Sequence, residues 1–527
     1  MEYKYLGRIL GKIMILEAML MFLPLIVSFI YKESLIYKVA FIVPIIILFI
    51  FGFSLQLLKP KRNNLYQKEG FALTAAAWIT MVIFGAIPFV INGDIPNYID
   101  ACFEMMSGFT TTGSSIIVDI TKISHSTLFW RSFSHWIGGM GILVFVLIFI
   151  PENKDGSSMH LFRAESPGPQ VEKIVSKMKV TTRILYLIYF SLTIIEIVIL
   201  CVGPLTDYNA MCNDLGTLLA DRYYKDKIFE AFLTSFGCAG TGGFGFIPGS
   251  MQYFTPFAQY VVSIFLILFG CNFTLYYLLL IKRIKSLFDS EEFRTYFIII
   301  VSAVVLIFIS LLIKNNVYQQ SYTIEEAFRH SLFQVSSLMT TAGFTSTDYE
   351  VWPMLSKSVL IIVMFIGAMA GSTAGGIKVS RIIIAFKGIH YGILKLINPH
   401  LVPKVKFEGK SLTDKTIIDV FLFVILYFFI LIIGIFLLSF DGVNDTFITI
   451  ASDAGIYEVK HGFFSNFSAV LTCISNVGPA FEAVGPYSCF ASYNNFSTLV
   501  LTIIMLLGRL EILPVLILFN KKTWKKV

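Results

Sequence analysis

One phrase occurs four times in this chain. A long apolar run is followed by a shorter semi-polar run ending in a Thr/Ser/Gly cluster, and then by a second long apolar run. The copies extend from about Glu69 to Ile150, Thr181 to Leu287, Thr295 to Leu396 and Thr416 to Phe519. Such a repeat constrains the fold more than any single residue, because one unit cannot bury its own apolar face and must pack against the others. A helix of about 20 apolar residues crosses roughly 30 Å of hydrocarbon, whereas a run of about 10 to 14 is more naturally re-entrant. Two more spans precede the repeats, near Ile9 to Ile30 and Ile36 to Leu58. The pattern predicts an all-α integral membrane protein with an N-terminal two-helix hairpin over 1–60. Four helix, pore-helix, helix units over 61–155, 156–290, 291–400 and 401–527 then surround a central pore. It predicts ten full spans or slightly more, and four short helices that enter without crossing.

Composition agrees with a bilayer and excludes a soluble protein of several domains, since 56% of the 527 residues are hydrophobic and 14% charged. The net charge of +7 does not indicate nucleic acid, because the cations sit in short segments between apolar runs. Lys59, Lys61, Arg62 and Lys68 precede the first unit, and Arg163, Lys173, Lys177, Lys179 and Arg183 the second. Lys282, Arg283, Lys285 and Arg294 precede the third, Lys387, Lys395, Lys404, Lys406 and Lys410 the fourth, and Lys521, Lys522, Lys525 and Lys526 close the chain. Basic connections face the cytoplasm, which puts both termini inside a cytoplasmic (inner) membrane and lets each glycine cluster dip in from outside. The start of the chain has the basic flank and apolar run of a signal peptide without a small-residue cleavage site, and reads as a retained helix. The seven cysteines fall singly, with no CxxC pair, and read as packing residues.

The clusters align as Thr110-Thr111-Thr112-Gly113-Ser114, Gly240-Thr241-Gly242-Gly243-Phe244, Thr340-Thr341-Ala342-Gly343-Phe344 and Ser475-Asn476-Val477-Gly478-Pro479. Any one alone reads as a helix-breaking turn. Four in register, each between two spans, read as a shared cavity, since irregular backbone at membrane depth needs protein or water around it. A ring of backbone carbonyls can replace the hydration shell of a potassium ion, with glycine supplying the conformations that aim them inward. Short helices over Tyr98 to Phe109, Lys227 to Phe236, Ile324 to Met339 and Phe464 to Ile474 would point negative C-terminal ends at that cavity. The expected potassium filter is Thr111, Thr112, Gly113, Thr241, Gly242, Gly243, Thr341, Ala342, Gly343, Asn476, Val477 and Gly478. The ion sites are expected at Thr111, Thr112, Thr241, Gly242, Thr341, Ala342, Asn476 and Val477.

On these residues the chain resembles the Trk/Ktr/HKT superfamily of potassium transporters over essentially its whole length. The segments His135-Trp136-Ile137-Gly138-Gly139-Met140-Gly141, Gly270-Cys271-Asn272-Phe273 and Gly371-Ser372-Thr373-Ala374-Gly375-Gly376-Ile377-Lys378 look like motifs of its Trk H-subunit branch, which the leading hairpin also favours. The resemblance implies a homodimer with one pore per protomer, potassium as the transported ion and a cytoplasmic nucleotide-binding subunit of the Trk A type docked beneath. It also implies potassium preference, because relatives that admit sodium carry serine at the position of Gly113. The polar outer stretches 204–226 and 441–462 look like insertions.

Two features lie beyond the clusters. Gly367 to Gly376 holds four glycines and nothing larger than methionine, and reads either as a close-packed helix interface or as a flexible loop across the pore. The loop reading makes Gly371, Ser372, Thr373, Ala374, Gly375 and Gly376, together with Arg509, a gate. Arg509 stands inside the last apolar run, where a charge marks a pathway or a partner unless it snorkels; Glu511, two residues on, points to nearly the opposite side of a helix. Glu104 in the first short helix is expected to brace the filter, and Glu196 has no expected role. A sodium- or proton-coupled symporter is the alternative function, although the intramembrane acids are few and dispersed. An enzyme is not indicated, since His125, His135 and His330 are isolated and no HExxH pattern occurs.

Overall fold

The computed structural model describes residues 2–60, 66–141, 178–217, 219–220, 226–313, 322–398, 404–452, 455–516 and 518. The expected helix ends at Ile150 and Phe519, the cations from Lys61 to Arg62 and Arg163 to Lys177, and the C-terminal lysines lie outside these residues.

Polar caps start the helices where the sequence changes character. Asn97 accepts from the Ile99 amide at 3.0 Å to open Tyr98–Phe109. Thr323 and Glu326 form a reciprocal capping box at the start of Ile324–Met339. Ser124, Thr255, Thr413 and Asn494 open His125–Gly139, Pro256–Phe269, Asp414–Leu438 and Asn495–Arg509 in the same way. The four short helices are Tyr98–Phe109, Lys227–Gly240, Ile324–Met339 and Phe463–Ser475. Phe109, Leu233, Phe333 and Leu471, one from each, belong to a single buried apolar core. Outward faces such as Ile298, Ile425 and Phe429 are exposed and apolar, as a lipid-facing surface requires.

Six helices among the described residues are long and apolar enough to cross a membrane: Tyr3–Ile30, Leu35–Gln56, Lys68–Ile91, Val180–Val202, Glu291–Ile313 and Asp414–Leu438. The ten full spans expected from the sequence count the second helix of each unit as well, and parts of those helices are short, bent or outside the described residues. The first long helix of each unit is continuous, but the second is interrupted in units two, three and four. In unit two Pro256–Phe269 and Phe273–Leu280 meet at 90°, with Asn272 capping the second piece at 2.9 Å from the Thr274 amide. In unit three Met354–Ile366 stops at Gly367 and a helix resumes only at Val379. In unit four Asn495–Arg509 ends before Glu511 and Ile512, both with positive φ, and in unit one His125–Gly139 ends at Met140.

The chain is mostly helical, as expected, with two short hairpins that the sequence reading did not include. Phe447–Ser452 and Gly455–Lys460 pair antiparallel within the outer stretch 441–462, and Lys406–Phe407 pairs with Lys410–Ser411. The larger hairpin is tied inward by Tyr457, whose hydroxyl donates to Asp348 at 2.6 Å. Glu408, at the tip of the smaller one, accepts from the Glu292 amide at 2.9 Å and so caps Glu291–Ile313.

Candidate functional site

The four short helices end alike. Amides of Thr112, Gly242, Ala342 and Val477 donate to carbonyls five residues back, of Ser107, Gly237, Ser337 and Thr472, at 2.9, 2.8, 2.8 and 2.9 Å. This is the closing bond of a Schellman C-terminus, which places the preceding residue in the left-handed region. That residue is Thr111, Thr241, Thr341 or Asn476, with φ of 56°, 54°, 57° and 55°. Three of them are β-branched, and such a conformation costs on the order of 1–3 kcal/mol each. Strain repeated at one register persists because the surroundings over-determine it. Two residues on, Gly113, Gly243, Gly343 and Gly478 again take positive φ, of 83°, 66°, 83° and 110°. Alternation between positive and negative φ turns successive carbonyls to one side of the strand.

The glycines show how the clusters sit together. A Cβ on Gly113 would collide with the Gly242 carbonyl oxygen, on Gly243 with that of Ala342, and on Gly343 with that of Val477. On Gly478 it would lie 2.8 Å from the Thr112 oxygen, which closes the cycle. The four clusters thus follow one another around a common axis, and the carbonyls of the four middle residues stand at one level. Thr111, Thr112, Thr241, Thr341, Ala342, Asn476 and Val477 are wholly buried. Four helix C-termini deliver partial negative charge to the same region.

Side chains lock neighbouring clusters. Ser114 Oγ donates to the Gly478 carbonyl at 2.9 Å, and Asn476 Nδ2 to Thr112 Oγ1 at 2.9 Å. Behind the first cluster, Glu104 and Arg131 form a buried ion pair at 2.7 Å. Glu104 also accepts from the Ile116 amide at 2.9 Å, while Arg131 donates to the Gly245 carbonyl at 3.2 Å and stacks over Phe244. The pair therefore ties the segments following the first two clusters to the two helices of unit one that carry Glu104 and Arg131. Sequence reasoning singled out Glu104 and missed Arg131, 27 residues away. His135, which it set aside as isolated, touches Gly108 and Phe244.

Directly below, Gly367 to Lys378 is a loop and not a packed helix, so the close-packing alternative does not hold. Gly367, Gly371 and Gly376 have positive φ. The Gly375 amide donates to Thr341 Oγ1 at 2.6 Å and the Gly376 amide to the Ser475 carbonyl at 2.9 Å. Gly371 accepts at its carbonyl from the Phe273 amide at 3.1 Å, inside the break of unit two. Arg509 donates to the Thr373 carbonyl at 2.8 Å and to those of Gly138 and Gly139 at 2.7 and 2.9 Å. Loop and arginine together thus touch all four units under the carbonyl ring. Glu511 pairs with Arg381 at 2.6 Å and not with Arg509. Lys378 is buried and donates to the Ala374 carbonyl. Glu292, another residue the sequence did not flag, accepts from the Ala370 and Ser380 amides at 2.7 and 3.1 Å and so holds both ends of the loop.

Comparison with known proteins gives the chain its family. Residues 38–526 match the TrkH family model, described as a cation transport protein. The chain is 32% identical over 533 residues to the Trk system potassium uptake protein TrkH of Escherichia coli (strain K12), covering 100% of both. It is 30% identical to TrkG of the same organism over 98% of this chain and 97% of that one. The crystal structure of the potassium transporter TrkH from Vibrio parahaemolyticus superposes with a TM-score of 0.81 at 28% identity, over 100% of both chains. A family match over residues 38–526, relatives at 30% and 32% identity and a shared architecture lead to one conclusion: the chain belongs to the TrkH family of cation transport proteins.

Proposed function

We propose that this chain is the potassium-conducting subunit of a Trk-type uptake system. The supporting observation is the cycle in which each cluster's glycine abuts the middle carbonyl of the next. The carbonyls of Thr112, Gly242, Ala342 and Val477 then encircle the ion, with those of Thr111, Thr241, Thr341 and Asn476 offering a second level. Potassium is the substrate, and the names of the TrkH and TrkG relatives favour it over other cations. The four units wrap one pore, the cytoplasmic (inner) membrane is the site, both termini face the cytoplasm, and the protein works as a homodimer.

The loop Gly371 to Gly376 and Arg509 form the gate. A guanidinium held at the path adds an electrostatic barrier to a cation, and the loop adds a steric one. A cytoplasmic nucleotide-binding subunit of the Trk A type controls opening through the basic inner face. Coupling to sodium or protons remains the second reading, because the carboxyls of Glu17 and Glu196 are wholly buried within membrane-length helices. Flux into vesicles containing the purified chain tests both readings. Downhill potassium and rubidium uptake that exceeds sodium uptake and needs no second ion is the expected result. Equal uptake of all three ions would remove the filter reading, and uptake only with a second gradient would establish coupling.

A further inference from the structure

His135 lies on His125–Gly139 and is wholly buried. Its Nδ1 stands 2.8 Å from the Gly108 carbonyl oxygen and its Nε2 3.3 Å from the Phe244 backbone nitrogen. A carbonyl only accepts and a peptide N–H only donates, so the two contacts admit one tautomer. The proton sits on Nδ1 and donates to Gly108, while the Nε2 lone pair accepts from Phe244. An imidazolium, with a proton on each nitrogen, would set donor against donor at Phe244. The ring is confined on its other sides: its centroid is 4.2 Å from that of Phe244, and a Cβ on Gly242 would strike it.

Gly108 belongs to the last turn of the first short helix, and Phe244 follows directly on Gly243. The peptide joining Gly243 to Phe244 is planar and trans, so its N–H and C=O point in opposite directions. Drawing the Phe244 N–H toward His135 therefore turns the Gly243 carbonyl away from the helix that carries His135. Different groups hold the other clusters: Asn476 and Ser114 join the fourth to the first, and the Gly375 amide supports the third.

We propose that His135 is a positioning residue: as a neutral Nδ1–H imidazole it links the first two clusters, sets the angle of the Gly243 carbonyl, one residue beyond the Gly242 carbonyl of the ring, and so tunes which ion the filter prefers. The proposal rests on the filter reading above. A structural packing role would respond to side-chain volume, whereas this role responds to the acceptor at Phe244. His135→Gln and His135→Met, similar in length, separate the two. In vesicle flux, His135→Met should lower the potassium-to-sodium ratio about tenfold, as expected for a buried donor left without its acceptor. His135→Gln, which can present its amide oxygen to Phe244, should recover most of that ratio. Equal ratios in parent, Met and Gln variants would overturn the proposal while leaving the filter reading intact; a parent that fails to discriminate potassium from sodium would overturn the filter reading itself. Should the Met variant fail to insert, nitrogen NMR on the histidine-labelled parent decides. A protonated Nδ1 with an unprotonated Nε2 at His135 is expected, and the opposite tautomer or an imidazolium contradicts the proposal.

Discussion

At the residue scale, the consequences follow from four backbones crowded around one axis. Gly113 has a positive φ and no room for a Cβ beside the Gly242 carbonyl. Gly113→Ser must therefore displace that oxygen, and the potassium-to-sodium uptake ratio should fall at least about tenfold, a change near 1.4 kcal/mol; an unchanged ratio would exclude Gly113 from the filter. The Glu104–Arg131 pair has 0% and 2% side-chain exposure, and removing one partner of such a pair costs about 3–5 kcal/mol. Arg131→Met should thus lower thermal stability in detergent markedly, and Glu104→Met with Arg131→Met should lose less than Arg131→Met alone. If the double variant is the less stable, the pair is not the brace it resembles. The recurring glycine was legible in the sequence because all four copies carry it in register. The partners were not: Glu104 and Arg131 are 27 residues apart, and Asn476 meets Thr112 across 364. No local periodicity reports contacts of that range.

Among elements, the short helices were readable and the interrupted ones largely were not. Ile324–Met339 is bounded in sequence by the Thr323/Glu326 capping box at one end and a glycine cluster at the other. The second helix of units two, three and four keeps its apolar composition through the break, so hydropathy alone reads a continuous span. Gly270-Cys271-Asn272, with a cap residue inside an apolar run, was the local signal available. The strands of 447–460 were missed although a signal was present: Phe447-Ile448-Thr449-Ile450 and Ile456-Tyr457-Glu458-Val459 are β-branched and aromatic runs on either side of Asp453-Ala454-Gly455, and they were read only as part of a polar insertion. The loop from Gly367 to Lys378 is held by Thr341, Ser475, Glu292 and Arg509. Replacing Arg509 with Met, or shortening the loop, should therefore raise basal potassium flux, about tenfold for the arginine if its barrier is near 1.4 kcal/mol. The two changes combined should give less than the product of their separate effects, since both act through one contact. Variants that insert normally and conduct no faster than the parent would put the gate elsewhere.

For the whole molecule, the four glycine clusters lie against one another in a cycle, so strained backbone from four separate stretches of the chain gathers at one level. Lys406 and Lys410 lie in the hairpin that caps Glu291–Ile313 and Lys404 just before it, on the face proposed to be cytoplasmic. Reversing those three charges to glutamate should weaken capture of the proposed cytoplasmic nucleotide-binding subunit by about tenfold while the chain stays inserted; unaltered capture would reduce the lysines to setting topology. The central claim is that the Thr112, Gly242, Ala342 and Val477 carbonyls coordinate the transported ion. Rubidium, a potassium substitute with strong anomalous scattering, tests it directly in crystals of this protein. The account predicts an anomalous peak on the axis enclosed by those four oxygens, lost in Gly113→Ser. Ordered rubidium elsewhere in the protein, with none inside that ring, would contradict it.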